Sequence, residues 1–489
     1  MKTQLFLRFT QGLIIGAPFI FGGWLLWQEL VPSGVFVVEK TPGTSSPFLD
    51  DLIPGSRASS SKTDAQGDLV QVLTGDPVYL FVHPHRSFET ITAEIWFKNA
   101  NVPIIEFGGL VFADHQAFDL HPLQNLLLDQ SSWSRIQEGD RLLLQRELTY
   151  HSLEDFFASP PPVEQVATYH DDWSISYEPV FYTSSSVMQI TDLSFRGHHT
   201  IKTYVKDETL SFSFAYMDMN REEGDDSVQI LVFNEEDQAV AEARMTDDGV
   251  TKATALPSFL QTITVSASDL SEGVYKIELN VGRDIFFRSI ATPQQKWVFV
   301  RSLFLADEVG YRDTPMGTQL VTNGKQFSFE TRHAEGVQEV EIGGQSVSVT
   351  APFETVTQTI IQPGLAILSV PLGDIEIQSD GMIATSAGTF FQPDPVSLVA
   401  SSDLDTLGVD YILATYMPPR REGEWWVAEA SFDASMLAQE QGAWKFAFSL
   451  PRILEQEGSV DVGKIRMIWM REAFTWSSFW QFLRAYVFP

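Results

Sequence analysis

The chain has 489 residues, 44% of them apolar and 12% aromatic, enough for about three packed domains and incompatible with wholesale disorder. Its 64 acidic and 32 basic side chains give a net charge of -32, which repels phosphate backbones and excludes a nucleic-acid partner. Without a single cysteine, the chain forms no disulfide, Cys-ligated zinc site, iron–sulfur cluster, thiol nucleophile or cysteine-linked lipid anchor.

From the N-terminus, the first element is a run of twenty uncharged, mostly apolar residues, 9–28, between Arg8 and Glu29. As a helix it reaches about 30 Å, the thickness of a bilayer core. Trp24 and Trp27 suit the interfacial aromatic belt. The alternative, a cleaved signal peptide, has an apolar core of only about 7–15 residues and a small-residue cleavage site, and none follows here. Residues 9–28 are therefore expected to be a retained transmembrane helix. Lys2 and Arg8 precede it, so the positive-inside rule makes 1–8 a cytoplasmic stub and places everything from 29 onward outside the plasma membrane. Without those two cations the exported part carries -34, a field that attracts divalent cations. Residues 29–68, with Pro42, Pro47, Pro54 and a Ser/Gly-rich run, have the composition of an extended linker.

Beyond Leu69 the dominant period is two. Ile91, Ala93, Ile95 and Phe97 share one parity, as do Leu210, Phe212, Phe214 and Tyr216, and Trp444, Phe446, Phe448 and Leu450. Such alternation predicts half-buried antiparallel strands, and further strands are expected at 228–233, 274–279, 297–305 and 347–349. Asp247-Asp248-Gly249 reads as a hairpin turn. Helix is expected to be scarce, and the best soluble candidate starts at Asp433 as N-cap and runs to about Gln441. The triple proline 160–162 marks a boundary. The fold class expected is all-β: tandem antiparallel β-sandwiches at 69–165, 166–310 and 311–472, the last one domain or two, followed by an aromatic, amphipathic segment at 473–489.

The stretch from Asp192 to Gly249, including DETLSFSFAYMDMNREEGDDSVQILVF, and the LSEGVYKIEL that follows it resemble secreted bacterial jelly-roll or immunoglobulin-like modules. The resemblance covers residues 192–279 and is one of fold. It implies binding or spacing outside the cell and no particular reaction.

Asp218, Asn220, Glu222, Asp225 and Asp226 crowd oxygen donors into one loop, the hard-ligand set of a structural calcium ion, with a solvated acidic turn as the alternative. The EF-hand register does not fit, because Gly224 is seventh and Gln229 twelfth in the loop. His83, His85, Asp114, His115, Asp119 and His121 form a second, looser set of metal-capable residues, for which hydrogen-bonded loop histidines are the alternative. Trp96 sits on the polar parity of its strand and offers a face on which a sugar ring could stack; core or interface packing is the alternative. One of Trp425 and Trp426 must face outward in the same way. From Lys464 onward the charge is +3, and Trp476 and Trp480 lie in a cluster of aromatics that suits either a membrane surface or a packed C-terminal helix.

Together these features lead to a single-pass, extracytoplasmic β-sandwich protein with a structural, adhesive or glycan-binding role in the cell envelope. Its expected partners are the membrane and a surface glycan or envelope protein, with structural calcium as the one cofactor to test for. The alternatives are an anchored polysaccharide hydrolase using a carboxylate pair, whose acids need no local motif, and a non-catalytic subunit of an envelope assembly.

Overall fold

The computed structural model describes residues 16–19, 21–23 and 34–471, apart from 85–87, 114–115, 180, 225, 247–248, 250–252, 254–255, 361–363 and 441. Most of the expected transmembrane helix at 9–28, the 247–248 turn and the segment 473–489 lie outside the described residues, as do Trp24, Trp27, Trp476 and Trp480. Residues 16–19 and 21–23 are helical, and among the described residues no helix is long and apolar enough to cross a membrane. The rest belongs to the all-β class, with only short helices such as Leu126–Asp129 and Leu153–Ala158; its sheets are mainly antiparallel, and 167–168 pairs parallel with 396–397.

The chain groups into two compact units that do not follow the consecutive division read from the sequence. The first unit combines residues 1–144 with 399–402 and 414–489; the second holds 145–398 and 403–413. Strand periodicity specifies which face of a strand is apolar but not which strand lies beside it, so the return of the C-terminal strands to the first unit is invisible to a local reading.

In the first unit, one sheet runs in the order Lys62–Thr63, Leu69–Leu73, Ser459–Met470, Thr90–Ala100, Trp425–Asp433 and Arg420–Glu422, with Val35–Lys40 also paired to Ser459–Met470. The second sheet contains Gln439–Glu440, Ala443–Ser449, Ile104–Phe112 and Ala117–Asn125, with Val78–Val82 on Ala443–Ser449. Ile91, Ala93, Ile95 and Phe97 point into the shared core, as their parity predicts. There they join Val460, Val462, Met467 and Trp469 of the same sheet and Phe107, Phe446 and Phe448 of the other. The Phe107 and Phe446 rings stack at 5.2 Å.

Two expectations are corrected in this unit. Residues 34–63 are packed and do not form a free linker: Leu49, Leu52 and Ala58 are buried in the core, and Ile53 exchanges backbone hydrogen bonds with Tyr79. Three apolar side chains at irregular spacing fix this segment despite its Pro/Ser composition. The helix expected from Asp433 is a single turn: the Asp433 carboxylate accepts from the backbone N–H of Ser435 at 2.9 Å, and the chain re-enters a sheet at Gln439–Glu440. The side-chain cap is present, but the strands at Trp425–Asp433 and Gln439–Glu440 leave only a hydrogen-bonded turn between them and no room for a helix.

In the second unit, strand Trp297–Leu305 pairs with His199–Val205 on one side and Ile375–Ala384 on the other, so one sheet continues from the 189–305 half into the 318–384 half. Leu210, Phe212, Phe214 and Tyr216 are buried as predicted, opposite Val228, Ile230 and Val232 in one apolar core. Buried His199 bridges two elements. Its Nδ1 is 3.0 Å from the Gly197 carbonyl, and Nε2 accepts from the Phe304 backbone N–H at 3.0 Å, which requires the neutral Nδ1-protonated ring.

Candidate metal centre and arginine cluster

Strand Leu210–Asp218 ends on a buried carboxylate. The chain then turns through Asn220, in the left-handed region at φ 51°, and the Asn220 N–H donates to Asp218 Oδ1 at 2.8 Å. A short polar side chain tolerates that backbone, which is why asparagine can occupy it. Asp284 comes from a distant point in the sequence, the turn between strands Gly273–Val281 and Ile285–Thr292. It is 1% exposed, and its Oδ2 accepts from the backbone N–H groups of Arg221 and Glu222. Asp226 approaches so closely that a Cβ on Gly282 would stand 2.6 Å from its Oδ1. One oxygen from each of Asp218, Asp226 and Asp284 lies within 4.8 Å of the others.

Three carboxylates this close, two of them buried, repel one another strongly unless a cation sits among them. The donors are all oxygen, the set that calcium takes six to eight at a time. Asn220 is 3% exposed, and its Oδ1 has no hydrogen-bond partner, so the same turn carries a further oxygen to offer. Gly282 leaves the space in which Asp226 stands. The residues present thus fit a hard divalent cation.

Of the loop residues singled out in the sequence, Asp218 and Asp226 belong to the cluster and Asn220 lies beside it. Glu222 is exposed and contributes its backbone N–H to Asp284, while Asp225 lies outside the described residues. Asp284 is absent from the sequence reading. It follows a strand 58 residues beyond Asp226, and only the hairpin topology brings it in.

Arg221 links this cluster to a second one. Its backbone N–H is held by Asp284, while its guanidinium binds both oxygens of Asp307 at 2.6 and 3.1 Å. Arg196, Arg221 and Arg288 surround the Phe286 ring, with guanidinium carbons 4.7, 5.0 and 5.3 Å from its centroid. Burial pulls the Arg196 and Arg288 pKa values down from the ordinary guanidinium value. Burial also opposes ionisation of Asp307, but the hydrogen bonds and charge of Arg221 outweigh it and hold that carboxyl below its usual pKa.

Of the three tryptophans proposed as sugar platforms, Trp96 is covered, and Trp425 and Trp426 are half-buried. Trp96 is 7% exposed: its indole N–H donates to Glu422 at 2.9 Å, and Lys464 Nζ stands 3.5 Å from the ring centroid. Trp425 lies against Gly463, where an added Cβ would fall 2.3 Å from the ring, with Lys98 Nζ 4.4 Å from its centroid. Trp426 packs against the core beneath the Arg421 guanidinium, 4.5 Å from its centroid. The polar parity of Trp96 is as read; what covers it is a layer of lysine and arginine side chains instead of water. His83 pairs with Asp50 and His121 with Asp119, each at about the same distance, 3.1 and 3.2 Å, while His85, Asp114 and His115 lie outside the described residues. Among the described residues, no metal-capable group includes a histidine.

No protein-family model matches the chain, and no curated protein matches it. Solved structures give a weak, fold-level resemblance to viral jelly-roll capsid proteins. The infectious bursal disease virus Gt strain particle shares 9% identity over 89% of this chain and 80% of that one, at a TM-score of 0.16. Dimeric latent PorU from Porphyromonas gingivalis shares 10% identity over 65% of this chain and 34% of that one, at a TM-score of 0.17. At these scores the likeness carries no argument about function.

Proposed function

We propose that the chain is a membrane-anchored, extracytoplasmic β-sandwich protein with a structural or adhesive role in the cell envelope, and that a calcium ion clamps its second unit at Asp218, Asp226 and Asp284. The observation that carries this reading is the convergence of those three carboxylates beside the unpartnered Asn220 oxygen. A cation there ties the 218–226 loop to the 281–285 turn and stiffens one end of a sandwich, which is what a load-bearing or adhesive module needs. Extracellular modules typically bind calcium at about 0.1–1 mM, so such a clamp fills outside the cell. The engagement of Trp96, Trp425 and Trp426 by neighbouring cations favours contact through loops and edges over sugar stacking. The acids in the best-defined networks are also committed: Asp307 to Arg221, and Glu94 to Arg420 and Arg466. That leaves these carboxylates unsuited to glycoside cleavage.

The test presents the full chain, in lipid nanodiscs, to isolated envelope polysaccharide and to envelope vesicles, with calcium or with chelator. Calcium-dependent retention with the polysaccharide mass unchanged is the expected result. Shortening of the polysaccharide would replace this reading with the hydrolase, and retention indifferent to chelator would remove the calcium clamp from it.

A further inference from the structure

In the second unit, residues 305–318 and the turn at 372–374 enclose a cavity of about 380 Å³. That lies within the range of roughly 300–1,000 Å³ typical of small-ligand sites. Five carboxylates line it against one cation, Arg312. Arg312 is itself bound to Asp192 at 2.6 Å and Glu308 at 3.3 Å. Two of the acids have their oxygens engaged: Asp307 by Arg221 and the Val309 N–H, and Glu308 by Arg312, Ser194 and the Met316 N–H.

Asp374 is different. It is 3% exposed, and its Oδ1 is buried without a hydrogen-bond partner. It is also held in place firmly. Its φ is 57°, its carbonyl accepts from Thr331 Oγ1 at 2.6 Å, and a Cβ on the preceding Gly373 would lie 2.0 Å from the Ala306 carbonyl oxygen. The turn is therefore pressed against the end of strand Trp297–Leu305, and a non-glycine residue is kept in the left-handed region to do it. An aspartate tolerates that backbone as Asn220 does, so the turn fixes the carboxylate beneath the cavity.

We propose that this cavity binds a primary ammonium group carried on an alkyl stem, with the ammonium on Asp374 and the stem along Leu305, Met316 and Leu372. The lining excludes an anion by charge. It does not suit a divalent ion, because its wall is largely apolar and its acids do not converge: among the described residues the three-carboxylate group whose oxygens meet is Asp218, Asp226 and Asp284. An ammonium needs one desolvated carboxylate and tolerates an apolar wall beside its methylenes. The ligand is a free alkylamine or the lysine side chain of a protein partner, which share this chemistry.

The groups acting electrostatically on Asp374 set its pH range. Burial and the charge of Asp307 raise its pKa, while His333, Arg196 and Arg221 lower it, and the balance leaves it at about 6. The carboxylate is thus available at neutral pH and lost below about pH 5. Arg196, whose Nη1 is also without a hydrogen-bond partner, is the internal competitor.

The experiment is calorimetry on the full chain in detergent with pentylammonium, Nα-acetyl-lysine methylamide, pentanol and pentanoate. Binding of the ammonium compounds alone is expected, at least tenfold weaker at pH 5 than at pH 7.5 and at least tenfold weaker in Asp374→Asn. Tighter binding of the lysine derivative identifies a protein partner, and tighter binding of pentylammonium a small amine. Met316→Trp, at an exposed position, fills the cavity without altering charge and should abolish binding even if Asp374→Asn fails to fold. Equal affinity for pentanol, undiminished binding in either folded variant, or no heat with any amine at 10-millimolar order overturns the proposal and leaves Asp374 to Arg196.

Discussion

Replacing Asp284 by asparagine separates a metal ligand from a helix-like backbone cap. Asparagine keeps an acceptor for the Arg221 and Glu222 N–H groups and removes the charge. Two carboxylates lie within 4.8 Å of the Asp284 oxygen. At an effective dielectric of about 20 each pair repels by about 3.5 kcal/mol. Asp226 is only half-buried, so solvent reduces its share, and the total falls to roughly 3–5 kcal/mol. Weaker neutral hydrogen bonds to the two N–H groups return about 1 kcal/mol of that. In chelator, therefore, Asp284→Asn should unfold at or above the wild-type temperature. Calcium at ten to a hundred times its dissociation constant adds about 1.4–2.7 kcal/mol to the wild type, a rise of roughly 3–10 °C. The variant's response should shrink to about 1 °C or less. Scanning calorimetry of both chains in chelator, calcium and magnesium reads all of this directly. A chelated variant several degrees below wild type would mean that the carboxylate acts as a cap and is not repelled, and an unchanged calcium response in the variant would refute its role as a ligand.

Between pH 6.5 and about 4, two buried groups should tilt stability in opposite directions. His199, lowered by burial to about 4, contributes stability present above pH 6.5 and lost as pH falls towards 4. Asp374, raised to about 6 mainly by burial, costs stability as pH rises from about 4 through 6, so acidification restores it. The two nearly cancel, and Asp374→Asn should expose a loss of roughly 3 kcal/mol on acidification in urea titrations at a series of pH values; a pH profile unchanged by the substitution would count against both assignments. Glu94→Gln should cost about 1–2 kcal/mol in the first unit, because the buried carboxylate holds Arg466 at 2.7 Å and Arg420 at 3.2 Å, and both arginines are partly solvated; a shift in urea midpoint below a few tenths of a kcal/mol would show the network to be idle. Gly463→Ala should destabilise the same unit by about 1–3 kcal/mol and alter Trp425 fluorescence, since the new methyl would enter the indole; a neutral outcome means that the ring can move aside.

Strand faces were legible wherever one side of a strand is apolar. The 91–97, 210–216 and 444–450 alternations lie as their parity demands because burial alone decides which way each residue turns. Partnership was not legible. Strand Ser459–Met470 sits between Leu69–Leu73 and Thr90–Ala100, and its pattern of Val460, Val462, Ile465, Met467 and Trp469 would suit many neighbours. The candidate cation site was half legible for the same reason: Asp218 and Asp226 share a loop, whereas Asp284 depends on which hairpin packs beside it. Trp96 shows the limit of parity itself. Its strand position was read correctly, but Lys464 and Arg466 reach it from the adjacent strand and cover it, and sequence spacing contains no trace of that.

The central place of Ser459–Met470 in the first sheet governs when that sheet can exist. Thr90–Ala100 leaves the ribosome 359 residues ahead of the strand that must pair with it. At roughly 5–20 residues per second the wait is on the order of 20–70 s, long compared with most folding events. Residues 145–398 can condense in that interval, whereas the early strands of the first unit remain unpaired and open to adventitious β-pairing. Assembly of this unit therefore waits for the 459–470 strand, and a nascent chain stalled before residue 459 should be protease-sensitive in its N-terminal third while its middle is already resistant.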